Sequence, residues 1–243
     1  MTSSLPDQLV AAFGPRTPAR SRRTNRALAL FGLEPAPSTH RSDRDRALLA
    51  LHLLEAISPG QVLLITGPSG GGKSRLLLAI EAALNARSTR FVRLSPDSRS
   101  AHPPHASVVD ALPGPLGRAL AALAAAGLAD ARLYASRLAT LSDGEFARWQ
   151  LARAILTLPP RGVLLADEFC APLDFVTTRS VCAAMTRWTR RTGSRLICAG
   201  ARDDLLEALS PDGLVHLNPD QPPLVLLPEK DLAAQSCQTC RHM

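Results

Sequence analysis

Short apolar runs alternate with longer helical patterns along the chain. The runs with the length and composition of buried strands are residues 61–66, 90–95, 162–166 and 195–199. Segments typical of helices lie at 47–57, 75–84, 146–158 and 176–192, the last followed by Gly193. Two β segments, 214–217 and 224–227, complete the pattern. Alternating strands and helices of this kind predict an α/β fold with a parallel sheet and flanking helices.

The remaining segments define the expected domain organisation. Residues 116–140 are dominated by Ala and Leu and predict two short helices broken near Gly127. With the helix that follows, they form a small helical subdomain at about 115–158. The first 46 residues are rich in Arg, Pro, Ser and Thr, which predicts a basic, partly disordered arm with one packed apolar element. We expect the main domain over 47–228 and a tail over 229–243.

Charge and composition narrow the class of protein. Apolar residues make up 46% of the chain and aromatic residues 4%, and no apolar stretch is long enough to cross a bilayer. The N-terminus has neither a positive leader nor a long apolar core, so we expect a cytoplasmic protein. The net charge of +7 is almost entirely arginine. A cluster of arginines at 16–26 leaves two alternatives open for the arm, nucleic-acid contact or a solvated segment.

The cysteines fall into two groups. Cys170, Cys182 and Cys198 lie in or beside predicted core elements, where a free thiol packs as a small hydrophobic group. Near the C-terminus, Cys237, Cys240 and His242 offer three zinc ligands or simply belong to a frayed tail.

A glycine-rich loop between the first strand and its helix carries the clearest chemistry. Gly67 to Ser74 read GPSGGGKS and satisfy the pattern G-x-x-x-x-G-K-[ST]. Backbone N–H groups of such a loop and the following helix N-terminus surround phosphates. Lys73 is expected to reach the β- and γ-phosphates, and Ser74 to bind Mg²⁺. The predicted phosphate-binding residues are Gly67, Pro68, Ser69, Gly70, Gly71, Gly72, Lys73 and Ser74.

Two acidic residues follow the strand at 162–166. Asp167 at the strand end is expected to hold Mg²⁺, mostly through water, and Glu168 to accept a proton from the attacking water as general base. ATP and Mg²⁺ are therefore the expected ligands.

At Leu141-Ser-Asp-Gly-Glu145 the chain resembles the ABC ATPase superfamily. In that family an LSGGQ signature precedes a helix that leads to the Walker B strand, which here is the strand before Asp167. The run from Asp167 to Asp174 is similar to the Walker B and D-loop of that family, and the likeness covers about residues 47–217. The resemblance implies a head-to-tail dimer in which signature residues of one protomer close on the γ-phosphate held by the other. These residues are Ser142, Asp143, Gly144 and Glu145. Asp143 stands where the family usually has glycine, and either adds negative charge beside the triphosphate or caps its own helix.

The sequence also departs from the family at two functional positions. Arg202 best occupies the place of the switch histidine, and we expect it to contact the γ-phosphate as a second catalytic residue. No glutamine lies between Leu94 and Asp110, where the family has one that links the nucleotide site to the helical subdomain. Phe31 is a candidate for stacking on adenine or for packing in the core.

Three functions follow from the resemblance. The first is an ATPase that dimerises on MgATP and drives an unidentified partner that is not a transporter, as in the similar modules found beside acetyltransferase domains. The second is the nucleotide-binding subunit of a membrane transporter, against which the missing glutamine and the short helical subdomain count. The third is a nucleotide-gated interaction module with little turnover.

Overall fold

The computed structural model describes residues 4–13, 21–30, 40–94, 99, 105–219 and 221–228. The chain forms two compact units. One is drawn from residues 1–54 and 74–89, and the other from 55–73 and 90–243.

The larger unit contains a six-stranded sheet in the order β2-β3-β4-β1-β5-β6. The strands are β1 (Val62–Thr66), β2 (Phe91–Leu94), β3 (Val163–Ala166), β4 (Arg195–Ala199), β5 (Gly213–Asn218) and β6 (Gln221–Leu226). Neighbouring strands pair in parallel from β2 through β5, and β6 returns antiparallel to β5. β4 lies between β1 and β3 and is parallel to both. The carboxyl ends of these three strands therefore lie side by side at the same end of the sheet.

Strand burial explains why the apolar runs are continuous. All residues of β3 are buried, as are Val62 to Ile65 of β1. Strands covered on both faces read as uninterrupted Val, Leu and Ile rather than as alternating patterns. β6 at the sheet edge is mostly exposed and carries two prolines, which are tolerated there because edge strands leave backbone donors unused.

Helices of the larger unit pack one apolar core against the sheet. They are α5 (Leu116–Ala125), α6 (Ala131–Tyr134), α7 (Asp143–Thr157), α8 (Phe175–Thr192) and α9 (Asp204–Leu209), with a 3₁₀ turn at Leu138–Thr140. Side chains from α5, α7 and α8 join strand residues in a single buried cluster. Trp149 of α7 is fully buried, and its indole N–H donates to Val108 O at 3.0 Å. Gly193 ends α8 in a left-handed conformation with φ 67°, as the sequence predicts.

The smaller unit consists of α1 (Leu5–Phe13), α2 (Arg22–Leu30), α3 (His40–Ala56) and most of α4 (Lys73–Ala86). Its polar centre is Asp43, which is 1% exposed and receives hydrogen bonds from Arg46 and Arg75. Arg75 also donates to Phe13 O and lies 4.8 Å from the centroid of the Phe13 ring. This one arginine therefore joins the start of α4 to α1 and α3.

The predicted α/β fold is confirmed, and the ends of the predicted strands agree with the observed ones to within three residues. Within residues 1–46, where the sequence predicts a basic, partly disordered arm, the structure has helices α1 and α2 and the start of α3. The missed signal in α1 is the helical spacing of Leu5, Leu9 and Phe13. The domain boundaries over 47–228 stay a prediction, since the compact units are divided differently.

Candidate functional site

The glycine-rich loop follows β1 directly, and its first glycine is required by a close approach. Gly67 has φ 136°, and a Cβ atom placed on it would lie 2.2 Å from the carbonyl oxygen of Leu217 in β5. A side chain at this position would force the loop away from the sheet edge. The loop can therefore begin here only with glycine.

Lys73 closes the loop on itself. Its Nζ donates to Gly67 O and to Pro68 O, both at 2.8 Å, and the N–H of Gly71 donates to Pro68 O at 3.1 Å. The ammonium group is thus held over the loop that the sequence assigns to phosphate. Ser74 is exposed in the first turn of α4, in the smaller unit.

Asp167 and Glu168 follow β3 at the same sheet edge. Asp167 lies 3.7 Å from the guanidinium of Arg93 on β2, and its side chain is 11% exposed. Its carboxylate accepts the backbone N–H of Glu168 at 3.2 Å. Arg93 was not identified from the sequence, although its place on the strand beside β3 puts it within reach. The Asp167 carboxylate offers oxygen atoms of the kind that Mg²⁺ prefers, and Arg93 lies beside it as a neighbouring cation.

The turn that carries Glu168 has an unusual backbone. Glu168 has φ 50° and Cys170 has φ 59°, conformations that cost about 1–3 kcal/mol each in residues with a side chain. The turn is tied to the end of β4, since Phe169 N–H donates to Ala199 O at 2.8 Å. Glu168 is left exposed. An exposed carboxylate on a turn that is bonded to the end of β4 fits the predicted role of a general base.

Arg202 has its expected anionic partner inside the chain. Its guanidinium forms a two-point pair with Asp204, at 2.9 Å and 2.6 Å, and also donates to the carbonyl oxygens of Cys170 and Leu173. The pair lowers the pKa of Asp204 and raises that of Arg202. The predicted two-point contact to γ-phosphate is therefore replaced in this structure by a carboxylate, because Asp204 lies only two residues away. Arg202 fastens both ends of the turn that follows Glu168.

The signature segment starts α7 with a capping box. Ser142 is the N-cap: its hydroxyl accepts the N–H of Glu145 at 3.3 Å, and the Glu145 carboxylate accepts the N–H of Ser142 at 2.8 Å. These hydrogen bonds hold the pKa of Glu145 below its ordinary value. The alternative in which Asp143 caps the helix is wrong, since Asp143 is already the first helical residue.

Gly144 brings the signature segment against the turn after β3. A Cβ atom on Gly144 would meet Pro172 O and Leu173 Cδ2, both at 3.2 Å. Asp174 then caps α8 by accepting the N–H of Thr177 at 2.9 Å. Two motifs that are distant in sequence are thus packed together within one chain.

Arg99, which the sequence did not single out, also contacts the signature segment. Arg99 donates to the carbonyl oxygens of Leu138, Leu141 and Ser142 and to the carboxylate of Asp143. It borders a cleft of about 280 Å³ that Asp143, Gln150, Asp167 and Glu168 also line. The one sequence signal for this role of Arg99 is the negative charge of Asp143, which a nearby cation would compensate.

Other candidate ligands contribute little to this site. Burial raises the pKa of the Cys198 thiol, and contact with Cys182 together with burial raises that of Cys170, so both behave as packed neutral groups. Among the residues that the structure describes, no group of three or more His, Cys, Asp or Glu side chains could hold a metal ion. Phe31, Cys237, Cys240 and His242 lie outside the described residues.

Comparison with known proteins shows which folds and sequences resemble this chain. No family model matches the chain. Its fold is similar to the dimeric structure of MJ0796, a bacterial ABC transporter cassette, with a TM-score of 0.57 and 20% identity over 70% of this chain and 87% of the other.

Curated relatives extend the likeness to the sequence. The chain is 38% identical over 132 residues to the zinc import ATP-binding protein ZnuC of Ruegeria pomeroyi, covering 49% of this chain and 50% of that protein. It is 30% identical over 175 residues to ZnuC of Pseudomonas entomophila, covering 67% and 66%. The chain spans about half the length of the first of these relatives and about two thirds of the second.

A glycine-rich loop between β1 and α4, with paired acids after β3, defines a P-loop NTPase. The signature segment at the start of α7 and the cassette fold are more specific. The chain belongs to the ATP-binding cassette superfamily. The further likeness to modules beside acetyltransferase domains finds no support in these comparisons.

Proposed function

We propose that this protein binds MgATP between two head-to-tail protomers and hydrolyses it as the ATP-binding subunit of a membrane transporter. The observation that carries the proposal is Lys73 held over the glycine-rich loop, at the sheet edge where Asp167 and Glu168 also stand. The partner differs from our first expectation of a non-transporter protein. The curated relatives are named as import ATP-binding proteins, which favours the transporter alternative.

Four side chains of this protein would share the work of binding and hydrolysing ATP. Lys73 exchanges its two carbonyl acceptors for β- and γ-phosphate oxygens when nucleotide enters, since a charged acceptor makes the stronger hydrogen bond. Glu168 accepts a proton from the attacking water. Ser74 and Asp167 would hold Mg²⁺, which offsets negative charge on the phosphates.

The second protomer would complete the site. Ser142 and Gly144 stand at the N-terminus of α7, where the helix dipole favours an anion and the first-turn backbone N–H groups outside the capping box can donate to it. In a head-to-tail pair these groups meet the γ-phosphate held by the opposite loop. One of the similar solved structures is itself described as dimeric.

The transporter role requires a separate membrane subunit. Of the helices that the structure describes, none has the length and apolar character to span a bilayer. For the transporter that we propose, the relatives' zinc makes a divalent metal ion the first substrate to test.

One observation keeps the nucleotide-gated module with little turnover as a second candidate. The four described hydrogen bonds of Arg202 all go to protein acceptors, so this residue offers the γ-phosphate little in this conformation. Single-turnover hydrolysis without repeated turnover would favour this candidate.

Nucleotide-dependent dimerisation tests the proposal directly. Glu168→Gln should bind ATP and accumulate as a dimer, because loss of a general base costs roughly 10²- to 10⁴-fold in rate without removing the phosphate contacts. Light scattering with and without MgATP measures this, with Lys73→Ala as the control that stays monomeric. A parent and a Glu168→Gln variant that both stay monomeric in saturating MgATP would contradict the shared site.

A further inference from the structure

Arg99 converges on the loop that begins α7. Its Nη1 donates to Leu138 O at 3.4 Å and to Leu141 O at 3.0 Å, and its Nη2 donates to Ser142 O at 3.3 Å. The same Nη2 lies 3.0 Å from the Asp143 carboxylate. A single guanidinium thus contacts the 3₁₀ turn, the N-cap residue and the first helical residue in succession.

The guanidinium also packs over an aromatic ring. Its central carbon lies 4.2 Å from the centroid of the Phe146 ring. Phe146 is buried and stacks on Trp149, with ring centroids 5.7 Å apart. A planar cation held between an aromatic ring and a row of carbonyl oxygens has little freedom to rotate. Lysine could not reproduce this arrangement, because its ammonium group is a point charge on a flexible stem.

The ion pair alone does not account for the arrangement. The Asp143 side chain is 89% exposed, and a pair with so exposed a partner is weak in water. The pair would matter more when a second protomer brings a triphosphate to the α7 N-terminus and excludes water. The attraction between Arg99 and Asp143 and the repulsion between Asp143 and the phosphate both strengthen in a medium of lower dielectric constant. An uncompensated Asp143 would then repel the γ-phosphate.

We propose that Arg99 is a positioning residue for the shared nucleotide site: it holds the loop from Leu141 to Asp143 in place and cancels the Asp143 charge. This proposal rests on the proposed function and adds a residue that positions the signature loop at the shared nucleotide site. Arg99 belongs to the segment after β2, where the sequence has no glutamine to link the nucleotide site with the helices. Its guanidinium makes a link of a different kind, from this segment to the signature loop.

The test compares Arg99→Met, which keeps the length of the side chain without its charge, with Arg132→Met, which removes an exposed arginine of α6. Hydrogen exchange over residues 138–146 in the nucleotide-free protein reports on the loop whether or not the protein hydrolyses ATP. We expect exchange at least about tenfold faster in Arg99→Met and unchanged in Arg132→Met. Equal exchange in the two variants would overturn the positioning role.

Rescue by a second substitution separates charge compensation from mere loss of structure. In the Glu168→Gln background, Arg99→Met should weaken MgATP-dependent dimerisation at least about tenfold, while calorimetry shows ATP binding to the monomer unchanged. Adding Asp143→Gly should recover at least about threefold, because the repelling carboxylate is gone. No recovery would overturn charge compensation. Failure of the proposed function would look different, since Glu168→Gln alone would then not dimerise.

Discussion

At the scale of single residues, Arg202 makes four hydrogen bonds beside the predicted site. Its fork holds Asp204 at two points and the carbonyl oxygens of Cys170 and Leu173. These carbonyl groups belong to the turn after β3, in which Glu168 and Cys170 both have positive φ. Such backbone persists only when surrounding contacts over-determine it, and Arg202 supplies several of them.

Arg202→Ala should lower kcat for ATP hydrolysis at least tenfold with little change in ATP affinity. Asp204→Asn distinguishes the two roles that Arg202 could have. If Arg202 acts by fastening the turn, Asp204→Asn lowers kcat as well, whereas a direct γ-phosphate contact would survive or improve. Steady-state kinetics and calorimetry measure both quantities. Arg179→Ala, which removes an exposed pair with Glu207, is the control and should leave kcat unchanged. A normal kcat in Arg202→Ala would exclude both roles.

At the scale of elements, α7 depends on its first turn. The capping box of Ser142 and Glu145 satisfies N–H groups that otherwise have no partner at a helix start. The same residues are predicted to meet the nucleotide of a second protomer. Stability and function therefore share one turn, and each needs its own measurement.

Ser142→Ala should reduce the free energy of unfolding by about 1 kcal/mol, the usual cost of losing a serine N-cap. Denaturant unfolding without nucleotide isolates this effect from any loss of ATP contacts. Ser180→Ala, at an exposed position inside α8, provides the control and should change stability far less. A Ser142→Ala variant as stable as the parent would show that the cap contributes nothing.

The capping box should also give stability a dependence on pH. Hydrogen bonds from Ser142 hold the pKa of Glu145 below its ordinary value of 4.5. A carboxylate with a lowered pKa stabilises the folded state above that ordinary value, and the contribution is lost as the pH falls through the lowered pKa. The stability difference between the parent and Glu145→Ala should thus be constant near pH 7 and shrink below about pH 4. A difference independent of pH would contradict the assignment.

At the scale of the whole molecule, ligand binding couples to stability. A ligand at about 100 times its dissociation constant stabilises the folded state by about 2.7 kcal/mol. For a domain of this size, that corresponds to a rise in Tm of roughly 5 to 10 °C.

MgATP should therefore raise the Tm of the parent by this amount and leave that of Lys73→Ala unchanged. Lysine is needed because its ammonium group is the cation held over the loop that we propose binds the phosphates. Differential scanning calorimetry at two ATP concentrations measures the shift. A Lys73→Ala variant stabilised as strongly as the parent would show that nucleotide binds elsewhere.

The sequence by itself determines the order of strands along the chain in the larger unit and the position of the glycine-rich loop. Buried parallel strands are continuous apolar runs, so β1, β3 and β4 were recognised at once. The sequence also predicts phosphate binding by Gly67 and Lys73, because a complete motif between a strand and a helix leaves few alternatives. These features depend on residues close together in the chain.

Only the tertiary structure decided the roles of Arg99, Arg93 and Arg202. Each guanidinium has an anionic partner, and for Arg99 and Arg93 that partner is 44 and 74 positions away, at Asp143 and Asp167. Arg202 has its carboxylate nearby in Asp204, but the carbonyl oxygens it holds lie about 30 positions earlier. An arginine in a basic chain can pair with many carboxylates, and its sequence neighbours do not select one. The sheet order and the packing of α7 bring particular pairs together, because they decide which segments meet.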